Sequence, residues 1–257
     1  MSECTVLMIG DISGTPGMGA LVLSLPTLIK KYKANFVVVN GENAASGFGL
    51  GEEDYYKIKA AGADVITSGN HIWQRNEILP LLDSQAELLR PINYAKGVVG
   101  HGYCTVKKGS LNFAVINAQG RQDMPITDCP FKGVKEVATK LKKEGYLILV
   151  DFHAESTGEK EAMGFYLDGI ASAVVGTHTH VQTMDEKILP NGTAYITDLG
   201  MSGVQHMVIG SRPDIAIERQ LTQVPLKSEV AEGNGELKGV AIVIDTESGK
   251  ALSIQRF

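Results

Sequence analysis

Thiols are scarce in this chain of 257 residues, with Cys4, Cys104 and Cys129 the only cysteines. An odd, widely spaced set excludes a disulfide framework and a thiolate-based zinc site, and it fits a reducing cytoplasm. Basic charge is not in excess either: 24 Lys and Arg against 29 Asp and Glu leave a net charge of −5. That balance argues against a basic surface that tracks bulk nucleic acid, though a short nucleotide or an RNA end held by metal ions stays open. No apolar stretch is long enough to span a bilayer, and no charged-then-apolar leader is present, so no membrane role is expected. Low-complexity tracts and internal repeats are also absent. What remains is an ordinary globular composition, 44% hydrophobic and 21% charged. It is long enough to bury a substantial core as a single domain over residues 1–257.

Against those absences stands one recurring pattern. Five short apolar runs, Thr5 to Ile9, Phe36 to Val39, Val65 to Thr67, Tyr146 to Val150 and Ala171 to Val175, each end in polar residues. Near-continuous apolar runs of this length read as strands buried on both faces. Helical patterns at Gly19 to Tyr32, Glu52 to Ala61, Glu77 to Leu82 and Val134 to Glu144 lie between most of them. Strands alternating with helices predict a layered α/β fold, in which ligands bind beyond the carboxyl ends of the strands. Asp11, Glu42, Asn43, Asn70, His71, His153, His178 and His180 all fall at such ends. Singly, Asp11, Asn43 and Asn70 read as turn formers and His153 as a hydrogen-bonded partner. Jointly they place carboxylate, amide and imidazole donors at one end of a sheet, which is metal-site chemistry. His178 and His180, one residue apart after a strand, are expected to point the same way off an extended backbone.

The rest of the chain is less informative. Gly102 to Val106 and Leu111 to Asn117 form a predicted hairpin, and Gln119 to Pro130 a rim loop. On that loop Arg121 would either meet a substrate phosphate or form a surface salt bridge. Short strands are expected around Ile188, Tyr195 to Thr197, Gly239 to Ile244 and Leu252 to Gln255. Gly200 to Arg212 lacks periodicity and reads as a mobile loop, and Asp214 to Leu221 as a helix.

The series Gly10-Asp11, Asn40-Gly41-Glu42-Asn43, Gly69-Asn70-His71, His153 and Gly176-Thr177-His178-Thr179-His180 resembles the calcineurin-like metallophosphoesterase signature. The strings Gly41-Glu42-Asn43-Ala44-Ala45, Asp151-Phe152-His153-Ala154-Glu155 and Thr177-His178-Thr179-His180-Val181-Gln182-Thr183 resemble more closely the bacterial YmdB-type branch, and the likeness runs from Val6 to about Ile254. Two departures from the wider pattern fit that branch. Asp11-Ile12-Ser13 lacks the histidine of the usual Asp-x-His opening, and Glu42 replaces the usual bridging Asp. The resemblance implies a layered β-sandwich flanked by helices.

Ligand chemistry within that resemblance gives one metal Asp11, Glu42, Asn43 and His180, and the other Glu42, Asn70, His153 and His178. A metal-bridging hydroxide would attack phosphorus, with His71 as proton donor. Asp151 would support His153 or simply form a turn. The branch implies two iron ions, with manganese the alternative, and hydrolysis of cyclic nucleotides, especially 2′,3′-cyclic ones. It also implies a homo-oligomer. A metal-dependent RNA nuclease and a metal-binding regulatory protein with incidental turnover are the alternative functions.

Overall fold

The structure is a computed structural model that describes residues 2–257. In chain order the strands are β1 (Glu3–Ile9), β2 (Asp11–Ile12), β3 (Phe36–Asn40), β4 (Val65–Thr67), β5 (Tyr103–Lys108), β6 (Leu111–Gln119) and β7 (Leu147–His153). They continue as β8 (Ala173–Thr177), β9 (Lys187–Ile188), β10 (Ala194–Ile196), β11 (Met201–Val204), β12 (Gly235–Glu236), β13 (Gly239–Asp245) and β14 (Ala251–Arg256). The helices are α1 (Gly14–Tyr32), α2 (Glu52–Ala61), α3 (Leu79–Ser84), α4 (Pro130–Lys143), α5 (Thr157–Tyr166) and α6 (Pro213–Thr222).

Two sheets carry the fold, ordered β14-β13-β1-β3-β4 and β5-β6-β7-β8-β10-β9, with a small β12-β11-β2 sheet beside them. The side-chain period of two in a strand explains how the sheets stack. Val6 and Met8 of β1, with Phe36 and Val38 of β3, face Phe113 and Val115 of β6 and Leu149 of β7 in one core. Phe36 and Phe113 stack across it with ring centroids 4.2 Å apart. The alternate residues Leu7, Ile9, Val37 and Val39 turn outward onto Leu21 and Leu25 of α1 and Ile58 of α2. On the far side Ile116, Ile148, Val150 and Phe152 pack on Val134 and Leu141 of α4 and Met163 of α5. The result is a helix–sheet–sheet–helix sandwich, and every central strand is apolar on both faces, as the runs in the sequence require.

β1, β3 and β4 run parallel, as do β6, β7, β8 and β10. Their carboxyl ends therefore present the polar residues that follow each run to one region. Several elements differ from expectation, among them three whose cause is visible. Helix α1 begins at Gly14, five residues early, because Gly17 lets the helix approach the Ser202 carbonyl closely: a Cβ there would stand 2.2 Å from that oxygen. Helix α5 has no counterpart in the sequence reading. Its signal was the Ser156-x-x-Glu159 start, and Ser156 Oγ does accept from the Glu159 N–H at 3.3 Å. Part of the supposed mobile loop is strand β11, buried throughout and paired in parallel with β2, Met201 opposite Asp11 and Ser202 opposite Ile12. Four residues are too few to show a period. No described helix is long and apolar enough to cross a membrane.

Candidate metal centre and active site

All seven expected ligands converge where the two sheets meet. Asp11, Glu42, Asn43 and His153 are buried, and Asn70, His178 and His180 are partly exposed. His153 Nε2 lies 3.1 Å from Glu42 Oε1, 3.1 Å from Asn70 Oδ1 and 3.0 Å from His178 Nδ1. The same oxygen, Glu42 Oε1, accepts from Asn43 Nδ2 at 3.1 Å, and that amide is 3.2 Å from His180 Nε2. Asp11 Oδ2 accepts the His178 N–H at 3.2 Å, whereas Asp11 Oδ1 is buried with no hydrogen-bond partner.

Each imidazole has one nitrogen committed away from the cluster. His153 Nδ1 is 2.9 Å from Thr177 Oγ1, and that hydroxyl donates to Asp151 Oδ1 at 2.7 Å, so the histidine is the donor. His178 Nε2 faces Glu155 Oε2 at 3.2 Å, and His180 Nδ1 faces the Ile209 carbonyl at 2.9 Å. The tautomers are thereby set: the lone pairs of His153 Nε2 and His178 Nδ1 face one another, and that of His180 Nε2 faces the Asn43 amide. Burial holds the His153 pKa down at about 4, and burial with the neighbouring His153 holds His178 at about 3. Neutral imidazoles are what a cation needs. Lone pairs facing lone pairs at 3 Å, with a buried carboxylate oxygen left unpartnered, fit a metal centre and fit a purely protein network badly.

Asp11 is pushed up by burial, against the pull of His153 and His180. Asp151, fully enclosed, is pushed up to about 7 by burial, while Thr67, Thr177 and Asn40 donate to it. It supports His153 through Thr177 and forms no turn. His71 is half-buried beside the cluster: its N–H donates to Glu42 Oε2 at 3.1 Å, and its Nδ1 is 2.7 Å from Asn43 Oδ1. Burial lowers the His71 pKa, and the Glu42 carboxylate opposes this.

The His178–His180 segment is not extended. β8 stops at Thr177, and His178 and His180 have φ of +103° and +65°. Residues other than glycine rarely occupy that region unless held there. Asp198 supplies the grip, accepting both the Thr179 N–H and the Thr179 hydroxyl. The two imidazoles accordingly reach different partners, His153 and Asn43.

The description "YmdB-like protein" belongs to a family whose sequence profile matches residues 7–257. The chain belongs to this family. It is 47% identical to a 2′,3′-cyclic-nucleotide 2′-phosphodiesterase of Bacillus subtilis, over 98% of this chain and 95% of that one. The crystal structure of a Mycoplasma pneumoniae phosphatase superposes with a TM-score of 0.94 at 34% identity, covering 100% of this chain and 93% of that one. One from Thermus thermophilus, a hypothetical protein, gives 0.89 at 38% identity, covering 98% of both.

Within this YmdB-like framework, several residues around the cluster escaped the sequence reading as individual actors. Glu155 and Thr177 stood only inside longer motif strings. Phe48 and Ile209, in the loops Ala44 to Gly51 and Gly200 to Arg212 expected to ring the site, line the same 460 Å³ cavity as Glu42, Asn43 and His71, and so does Arg219, which nothing local marks. Arg121 forms no salt bridge among the described residues. Its backbone N–H donates to Glu159, and it lines a separate cavity with Phe131 and Ala162.

Proposed function

We propose that a single domain over residues 1–257 hydrolyses 2′,3′-cyclic nucleotides at a two-cation centre, with Glu42 shared between the cations and His71 as proton donor. Membership of the YmdB-like family makes the chain a hydrolase of phosphoric diesters. The observation that carries the finer reading is the set of unprotonated donors around Glu42, with Asp11 Oδ1 buried and unpartnered beside them. Asp11, Glu42, Asn43 and His180 would hold one cation, and Glu42, Asn70, His153 and His178 the other. Carboxylate, amide and imidazole donors without thiolate suit iron or manganese and tolerate zinc, and the family resemblance puts iron first with manganese as the alternative. When bound, such a pair supplies Lewis acidity, which lowers the pKa of a water and takes up phosphate charge.

The chain's own residues do the rest. Thr177, Glu155 and the Ile209 carbonyl keep the three imidazoles aimed inward. Asn43 now points Nδ2 at Glu42 and His180, and Oδ1 at His71. As an imidazolium, His71 donates Nδ1–H to Asn43 Oδ1, the contact seen at 2.7 Å, and the second lone pair of that oxygen is left for a cation. The other proton sits on Nε2, from which it passes to the departing oxygen and leaves a neutral imidazole. The Bacillus relative is named for the 2′ bond, and the same bond is proposed here, giving a nucleoside 3′-monophosphate. The cavity of about 460 Å³ falls in the usual size range of small-ligand clefts. The net charge of −5 gives long RNA little purchase. The sparse, odd cysteine set fits a reducing cytoplasm, and family resemblance adds a homo-oligomer, whose stoichiometry light scattering would give.

The test is the purified chain, stripped and reloaded with iron or manganese, assayed on cyclic nucleotides, phosphomonoesters and an RNA oligomer. Metal-dependent opening of the cyclic diester, faster than release from monoesters, is expected. Faster monoester hydrolysis would overturn the diesterase reading, and preferred, salt-sensitive RNA cleavage would make the chain a nuclease.

A further inference from the structure

The cavity over the metal cluster has a single phenylalanine in its wall, Phe48, and no tyrosine or tryptophan. Phe48 is 40% exposed. Its turn is built to keep it there. Gly47 and Gly49 flank it with φ of +89° and +82°, a conformation that favours glycine. Arg75 braces the turn from behind, donating from Nη2 to the Ala45 carbonyl at 3.3 Å and from Nε to the Phe48 carbonyl at 3.4 Å. A Cβ on Gly49 would come within 2.8 Å of the Arg75 side chain, so the brace is close. A braced turn that holds an apolar ring toward water, at the lip of the cavity over the ligand cluster, is set up for a flat ligand. The ring stands edge-on to His71, with centroids 5.1 Å apart and planes at 60°.

We propose that Phe48 is the stacking platform for the nucleobase, and that it selects which ribose oxygen departs. The inference rests on the cyclic-nucleotide reading above. In a 2′,3′-cyclic nucleotide the base is carried on C1′. C2′ is the adjacent carbon and C3′ lies one bond further. A base stacked on Phe48 therefore sets O2′ closer than O3′ to His71, the neighbour of Phe48. Water adds its oxygen to phosphorus, the P–O2′ bond breaks, and the proton on His71 goes to O2′. Water's remaining proton restores the site, and the product is the 3′-monophosphate. Without the platform the ribose can enter in either sense, and the 2′-monophosphate appears as well. Aromatic–base stacking tolerates every base, so the platform confers regiochemistry without base preference.

The experiment compares Phe48→Ala and Phe48→Trp with the parent on 2′,3′-cyclic AMP and on a methyl riboside 2′,3′-cyclic phosphate, which has no base. Metal content is measured for each. Phe48→Ala is expected to raise KM for the nucleotide roughly ten- to hundredfold. It should lower the kcat/KM ratio of nucleotide to baseless substrate by a similar factor and release 2′-AMP beside 3′-AMP. Phe48→Trp should restore both KM and the product ratio. An unchanged KM and product ratio, or equal losses on both substrates, would overturn the proposal and leave Phe48 a prop for His71. A parent chain that does not open the cyclic nucleotide sinks the functional reading instead. Stacking is then decided by the calorimetric Kd for 3′-AMP, which Phe48→Ala must weaken.

Discussion

Lys160 Nζ lies 2.7 Å from Asp198 Oδ2 with both side chains buried, and that same oxygen accepts from the Thr179 N–H at 3.0 Å and the Thr179 hydroxyl at 2.9 Å. The pair thereby holds the turn between His178 and His180 from below. Lys160→Met would leave the Asp198 charge buried without its partner, a change that costs about 3–5 kcal/mol. Chemical denaturation should show that loss, and metal analysis should show weakened retention, because the two histidines lose their shared anchor. A variant as stable as the parent would show that Asp198 is satisfied without the lysine.

Glu42→Gln preserves shape and removes the charge proposed to balance two dications. Loss of at least one metal per chain and of nearly all turnover is expected, read by elemental analysis and by cyclic-nucleotide hydrolysis. Two retained metals with parental turnover would rule out Glu42 as the shared ligand.

Removal of the proton donor should separate chemistry from metal binding. His71→Ala keeps every proposed ligand, so both metals should remain while turnover drops roughly 10²–10⁴-fold. The loss should shrink for a p-nitrophenyl diester, whose leaving group needs little protonation. Equal losses for good and poor leaving groups would identify His71 as a positioning residue.

Gly69 touches the cluster through the space it leaves empty. A Cβ there would stand 2.1 Å from His153 Cδ2 and 2.4 Å from Glu42 Oε2. Gly69→Ala should therefore displace one of these ligands and weaken metal binding. Metal titration of the variant, with circular dichroism to establish folding, checks this. Parental affinity would mean that β4 can shift to absorb the methyl group.

Thiol reactivity should follow burial. Burial pushes the Cys4 thiol up to about 11 and the Cys104 thiol up to about 12. A raised thiol pKa leaves the thiolate, the reactive form, scarce at pH 8. Cys129 is only partly buried. A disulfide reagent at pH 8 should therefore label Cys129 first, with Cys4 and Cys104 following only on unfolding. Rapid labelling of all three in the native state would contradict the packing around β1 and β5.

The residues at the strand ends were legible in the sequence because buried parallel strands declare themselves as apolar runs, and the fold places their carboxyl ends together. Asp11, Glu42, Asn43, Asn70, His153, His178 and His180 needed only that rule to be gathered. Helix α5 and strand β11 were harder. The first carries two glycines, of which Gly164 packs against the Tyr195 ring, and the second is too short for any period to show. Tertiary structure alone decided how the gathered residues act. Which nitrogen of His153 faces the cluster depends on Thr177 and Asp151, and which nitrogen of His178 on Glu155. For His180 it depends on a carbonyl 29 residues away. Phe48 becomes a wall of the cavity only because Gly47, Gly49 and Arg75 aim it there. Residue types and strand periods are local properties, and a single sequence carries them. Tautomers, orphaned oxygens and the company of an exposed ring are set by contacts between distant segments, and these exist only once the chain has folded.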